Sequence, residues 1–149
     1  MMGFDIHDVS GDFYITGTRN DQVVHLKADG TLVRTFGDTG EVILKDPTGL
    51  AIDEDRGRIY VADSGNNRVV VYDLDGNVLQ MWGEKGRELG QFRMLPPNGL
   101  DVDDCGLVYV SDLTNRRVVV YTHDGKPLQS LQIDGQPKPK PRDVAVSGD

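Results

Sequence analysis

A block of sequence that recurs every 49 or 50 residues constrains this chain more than anything else in it. Gly49-Leu50-Ala51-Ile52-Asp53 returns as Gly99-Leu100-Asp101-Val102-Asp103, and Ile59-Tyr60-Val61-Ala62-Asp63 as Val108-Tyr109-Val110-Ser111-Asp112. Asn67-Arg68-Val69-Val70-Val71-Tyr72 matches Arg116-Arg117-Val118-Val119-Val120-Tyr121, and Asp75-Gly76 matches Asp124-Gly125. A weaker copy lies upstream at an offset of 46, carried by Phe13-Tyr14-Ile15-Thr16, Gln22 to Leu26 and Asp29-Gly30. Pro141-Arg142-Asp143-Val144-Ala145-Val146 opens a further copy. A period of this size is the mark of a repeat architecture, in which each unit buries its apolar surface against its neighbours.

Each unit contains four short apolar runs separated by turn residues. In the second unit the runs fall at about 49–53, 58–63, 68–73 and 77–82. The Asp-Gly pairs at 29–30, 75–76 and 124–125 supply the positive φ that tight hairpins demand. Asn66-Asn67 and Thr114-Asn115 serve the turn before the third run. The runs are too short and too rich in β-branched residues for helices.

Val69-Val70-Val71-Tyr72 and Val118-Val119-Val120-Tyr121 are apolar at consecutive positions instead of alternating. Strands of that kind are covered on both faces, whereas a lone antiparallel sheet leaves one face to water. Radially stacked four-stranded sheets bury both faces of every sheet, so the expected fold is all-β, a β-propeller of antiparallel blades. An eight-stranded barrel has no need of this period and favours alternation. The blades are expected at about 4–37, 47–83 and 97–132, with the first strand of a fourth at about 141–147.

The motifs of the second and third units resemble the NHL repeat, through Pro47 to Asp53, Arg58 to Val69 and Tyr72 to Gly76, with Gly83 to Phe92 similar to its interblade linker. The first unit departs from that pattern, with Gly17 in place of Asp63 and Gln22 in place of Arg68. The resemblance implies a six-bladed ring, of which this chain holds about half. Three arrangements are open: a fragment of a longer ring, two chains closing a ring of three plus three blades, or an open array. A fragment, or a chain within a larger assembly, is expected, because Val144-Ala145-Val146 competes with a partner's Phe4-Asp5-Ile6 for one position. An open half ring leaves apolar blade faces that water rarely meets.

A net charge of −8 argues against a broad nucleic-acid or anionic-membrane footprint. No apolar run approaches the ~20 residues of a membrane span, and the chain starts without a signal-peptide pattern. A soluble protein is expected, its compartment open and the extracellular or periplasmic space included. The one cysteine, Cys105, is expected in a turn.

Asp63 with Arg68, and Asp112 with Arg117, are expected to form charged hydrogen-bonded pairs across successive hairpins and to fix each blade. His7, His25 and His123 are too scattered for a zinc site with three converging ligands. In the amidating lyases that the resemblance brings in, a histidine stands where this chain has Pro97 or Asn98. Asp53-Glu54-Asp55 and Asp101 to Asp104 suggest calcium, as in lactonase-type propellers, or simply solvated turns. There is no nucleophile-elbow, phosphate-loop or dinucleotide motif. The Pro-basic stretch with Lys138, Lys140 and Arg142 is an expected interblade linker and a candidate partner-binding segment.

The function expected from these residues is a non-catalytic scaffold that binds protein partners or self-associates through blade edges, without a cofactor. The first alternative is a calcium- or zinc-dependent lactonase-like or lyase-like enzyme whose site is completed by further blades. The second is an RNA-binding NHL propeller.

Overall fold

The computed structural model describes residues 3–93, 99–132 and 140–147. It contains three four-stranded antiparallel sheets, each with its strands in chain order. The first blade is β1 (Phe4–Ile6), β2 (Phe13–Gly17), β3 (Gln22–Leu26) and β4 (Leu32–Phe36). The second is β5 (Pro47–Asp53), β6 (Arg58–Asp63), β7 (Arg68–Asp73) and β8 (Val78–Trp82). A short parallel pair, β9 (Glu84–Lys85) and β10 (Gln91–Phe92), ties the linker. The third blade is β11 (Leu100–Val102), β12 (Val108–Asp112), β13 (Arg117–Tyr121) and β14 (Pro127–Gln132).

β7 is dry on both sides, with Val69, Val70 and Val71 at 0% exposure. Val70 and Tyr72 join Leu50, Ile52, Ile59 and Val61 in a core shared with Tyr14, Val23 and Phe36 of the first blade. Val69 and Val71 face the other way, into a core with Leu100, Val108, Val110, Val119 and Tyr121 of the third. Alternating side chains of one strand therefore fill two different cores. At about 2 kcal/mol for each large apolar side chain, this stacking is the main source of stability. The ladders slip at the same place in every blade, at His25/Leu26, Val71/Tyr72 and Val120/Tyr121, where a bulge adds local twist.

Aromatic contacts close each seam from the outside. Phe36 of the first blade meets Tyr72 of the second at 4.9 Å between ring centroids, and Trp82 of the second stacks on Tyr121 of the third at 4.3 Å. Phe36 lies over Gly76 and Trp82 over Gly125, both at positive φ and both so close that a Cβ would collide with the ring. The Asp-Gly turn thus serves the hairpin and the neighbouring blade together.

The segment 141–147 departs from expectation: it forms no strand. It runs beside β11, where Gly99 N donates to Arg142 O at 2.9 Å and Val146 N donates to the Asp101 carboxylate at 2.6 Å. Two hydrogen bonds to a strand of another sheet do not make a ladder. Among the described residues no helix is long and apolar enough to cross a membrane.

Candidate functional site

The first strands of the blades, β1, β5 and β11, lie side by side, with β5 packed against both others. Leu50 and Ile52 of β5 and Leu100 and Val102 of β11 pack into blade seams, whereas Phe4 and Ile6, their equivalents on β1, are exposed; one residue stands between the two in each strand. In the first and third blades that residue is an aspartate, Asp5 and Asp101, at one and the same repeat position; in the second it is Ala51.

Asp5 accepts from Ile6 N at 2.9 Å through one carboxylate oxygen and from Ile52 N, on the next blade, at 2.8 Å through the other. Asp101 does the same with Val102 N at 2.9 Å and Val146 N at 2.6 Å. Asp5 therefore fixes β1 to β5, and Asp101 fixes β11 to the segment 141–147. Burial pushes the Asp5 carboxyl above its ordinary value; the two backbone donors pull it down, and the negative charges of Asp101 and Glu54 add to the rise.

Asp5 and Asp101 share a cavity of about 240 Å³ with Asp143, Gly3 and Gly49. Asp143 is exposed, and its Oδ1 accepts from Val144 N at 3.0 Å. It lies so close to Gly99 that a Cβ there would overlap the carboxylate. A second cavity of about 300 Å³ opens at the turns after the first strands, lined by Asp5, Asp8, Asp53, Glu54, Asp101 and Asp103 among others.

These acidic turns share a cavity without converging: among the described residues no three His, Cys, Asp or Glu side chains are grouped to hold a metal ion. Asp53 is bound to Arg56 at 3.2 Å, and Asp5 and Asp101 have every carboxylate oxygen on a backbone amide. The described residues therefore do not fit the calcium that lactonase-type propellers suggest. Each histidine side chain has its own partner, His7 on Glu54 at 3.1 Å, His25 on Asp12 at 2.8 Å and His123 beside Arg58, and among the described residues none belongs to a group of three that could hold a metal. Pro97 and Asn98 lie outside the described residues.

The paired charges meet as spaced. Arg68 Nε donates to Asp63 Oδ2 at 2.6 Å and Arg117 Nε to Asp112 Oδ2 at 3.1 Å. Each buried carboxylate also receives a linker amide, Lys45 N at 2.7 Å or Arg93 N at 3.1 Å, and an asparagine amide, Asn66 or Asn115. Asp63 and Asp112 thus pin the incoming linker, the hairpin and the third strand of their blades. Lys140 and Arg142 are exposed, and Lys138 lies outside the described residues. Asp5 and Asp143 escaped the sequence reading. The signal for Asp5 was its repeat equivalence to Asp101, which the weak similarity of the first unit hides.

Four-stranded antiparallel blades stacked about a line of inner strands define a β-propeller. The chain belongs to the SMP-30/Gluconolactonase/LRE-like region family, whose model matches residues 6–140. Solved structures similar to it include virginiamycin B lyase from Staphylococcus aureus, with a TM-score of 0.67 at 13% identity over 89% of this chain and 41% of that one. A gluconolactonase from Xanthomonas campestris gives 0.58 at 23% identity, over 83% of this chain and 44% of that one. A luciferin-regenerating enzyme gives 0.65 at 21% identity, over 99% and 50%. The chain thus spans half or less of each of these structures. No curated protein matches it in sequence.

Proposed function

We propose that this chain forms part of the axial wall of a lactonase-like propeller hydrolase acting on small, uncharged cyclic esters. The family match over residues 6–140 carries this reading, and the likeness to a gluconolactonase and a luciferin-regenerating enzyme agrees with it. The NHL-like motifs are then a blade grammar shared between propellers, not a sign of NHL function.

In this reading Asp143, the exposed carboxylate of the axial cavity, is the general base. It takes a proton from water as the water oxygen attacks the ester carbonyl carbon; the ring C–O bond then breaks and the departing oxygen takes the proton. Asp5 and Asp101, held by backbone amides, keep the wall negative. A neutral ring enters such a wall freely, and the carboxylate product is repelled from it. No step is routed through a metal ion.

The test is hydrolysis of a panel of lactones, followed by proton release, with and without chelator. Asp143→Asn is expected to lower kcat by about a hundredfold or more. If no lactone is hydrolysed under any metal condition, the reading is wrong. The scaffold reading would then take its place, resting on Phe4, Ile6 and Leu32, which are exposed on the first blade.

A further inference from the structure

At the opposite end of the blades from the acidic turns, the hairpin between β12 and β13 and the linker before β11 enclose a cavity of about 330 Å³. Arg87, Arg93, Thr114, Asn115, Arg117 and Gln132 line it. Arg117 is neutralised by Asp112 and is further held by Glu88 O at 2.9 Å and Gln91 O at 2.8 Å. Arg87 and Arg93 have no ion pair and no side-chain hydrogen bond among the described residues. The Thr114 hydroxyl oxygen is buried and has no hydrogen-bond partner there. Among the described residues, two uncompensated positive charges and an orphaned donor thus meet in one concave site, on a chain whose net charge is −8.

The corresponding corner of the second blade is built from the same Asp–Arg bracket but is filled. Gly65 stands where the third blade has Thr114, and Lys45 packs on it so closely that a Cβ at Gly65 would lie 2.6 Å from Lys45 Cγ. The repeat therefore accounts for Arg117 and for a basic residue at Arg93, whose equivalent is Lys45, but not for Arg87 or Thr114.

We propose that this corner binds the phosphate group of a small phosphate monoester. Two free guanidinium groups balance a dianion, whereas a carboxylate would leave one of them unmatched. Guanidinium donors fit the tetrahedral oxygens in pairs. A phosphate oxygen accepting from Thr114 Oγ1 satisfies a hydroxyl that is otherwise buried without a partner, a state that costs about 1–3 kcal/mol. This site is independent of the axial cavity and of any lactonase activity.

Calorimetric titration of the full chain with phenyl phosphate, inorganic phosphate and benzoate tests it. Saturable binding of both phosphates is expected, much tighter than benzoate, strengthening as pH rises through about 6, where the monoester takes its second charge. Arg87→Ala/Arg93→Ala should weaken phenyl phosphate binding about tenfold or more, and Thr114→Val should weaken it several-fold. Should the double variant misfold by circular dichroism, Thr114→Val alone carries the test. Lys140→Ala/Arg142→Ala, on the exposed linker, should change nothing. Absence of saturable phosphate binding, equal affinity for benzoate, or equal loss in the Lys140/Arg142 variant would overturn the assignment.

Discussion

Trp82 of the second blade stacks on Tyr121 of the third, with ring centroids 4.3 Å apart and planes inclined by 30°. The residues lie in different repeats, so the contact exists only once two blades stack. Its counterpart at the first seam, Phe36 on Tyr72, is tilted by 57°. The Trp82 indole nitrogen is buried without a partner among the described residues, so its value lies in the ring and not in the N–H. Trp82→Phe is expected to cost less than about 1 kcal/mol and Trp82→Ala about 2–4 kcal/mol, read from urea unfolding.

The two Asp–Arg brackets should respond unequally to loss of the acid. Arg117 has a side chain 7% exposed and Arg68 one 22% exposed. Removing Asp112 strands a guanidinium away from water, whereas removing Asp63 leaves one that water partly reaches. Asp112→Ala is expected to destabilise by about 3–5 kcal/mol and Asp63→Ala by distinctly less. Thermal melts of the two variants side by side decide it; equal losses would contradict the burial argument.

Gly30 and Gly125 occupy the same turn position with φ of 85° and 84°. A Cβ on Gly30 meets nothing within 4 Å, while one on Gly125 runs into Trp82. Gly30→Ala should therefore cost only the backbone term, about 1–2 kcal/mol. Gly125→Ala should cost clearly more, and combining it with Trp82→Ala should recover the excess, as a double-mutant cycle would show.

Asp5 titrates above its ordinary value of 3.8, chiefly because it is buried. Folding therefore favours its protonated form. The stability this provides is fully present below pH about 3.8 and is lost as pH rises through the higher folded-state value. Asp5→Asn should lack that downward contribution, so the stability of the variant relative to wild type is expected to rise between about pH 4 and neutrality. A pH series of denaturation midpoints measures it, and a flat difference would refute the claim.

Much of the fold was legible because a propeller blade is local: its four strands follow one another, and Asp-Gly turns and short apolar runs mark them directly. The unbroken valines at 69–71 and 118–120 announced cover on both faces, and Asp63 with Arg68 sat close enough in sequence to be paired. Harder to see was anything made between blades. Asp5 bonds Ile52, Trp82 meets Gly125, and Asp143 reaches Gly99, across gaps over which spacing carries no information.

The sequence by itself determined the period, the strands, the turn chemistry and the need for sheets pressed together, because these follow from neighbours along the chain. Only the tertiary structure decided which carboxylates share the axial cavity, that 141–147 runs beside β11 without pairing into a ladder, and that Arg87, Arg93 and Thr114 line one cavity at the corner of the third blade. Those outcomes depend on how one blade's side chains meet the next, and stacking geometry, not local propensity, sets that meeting.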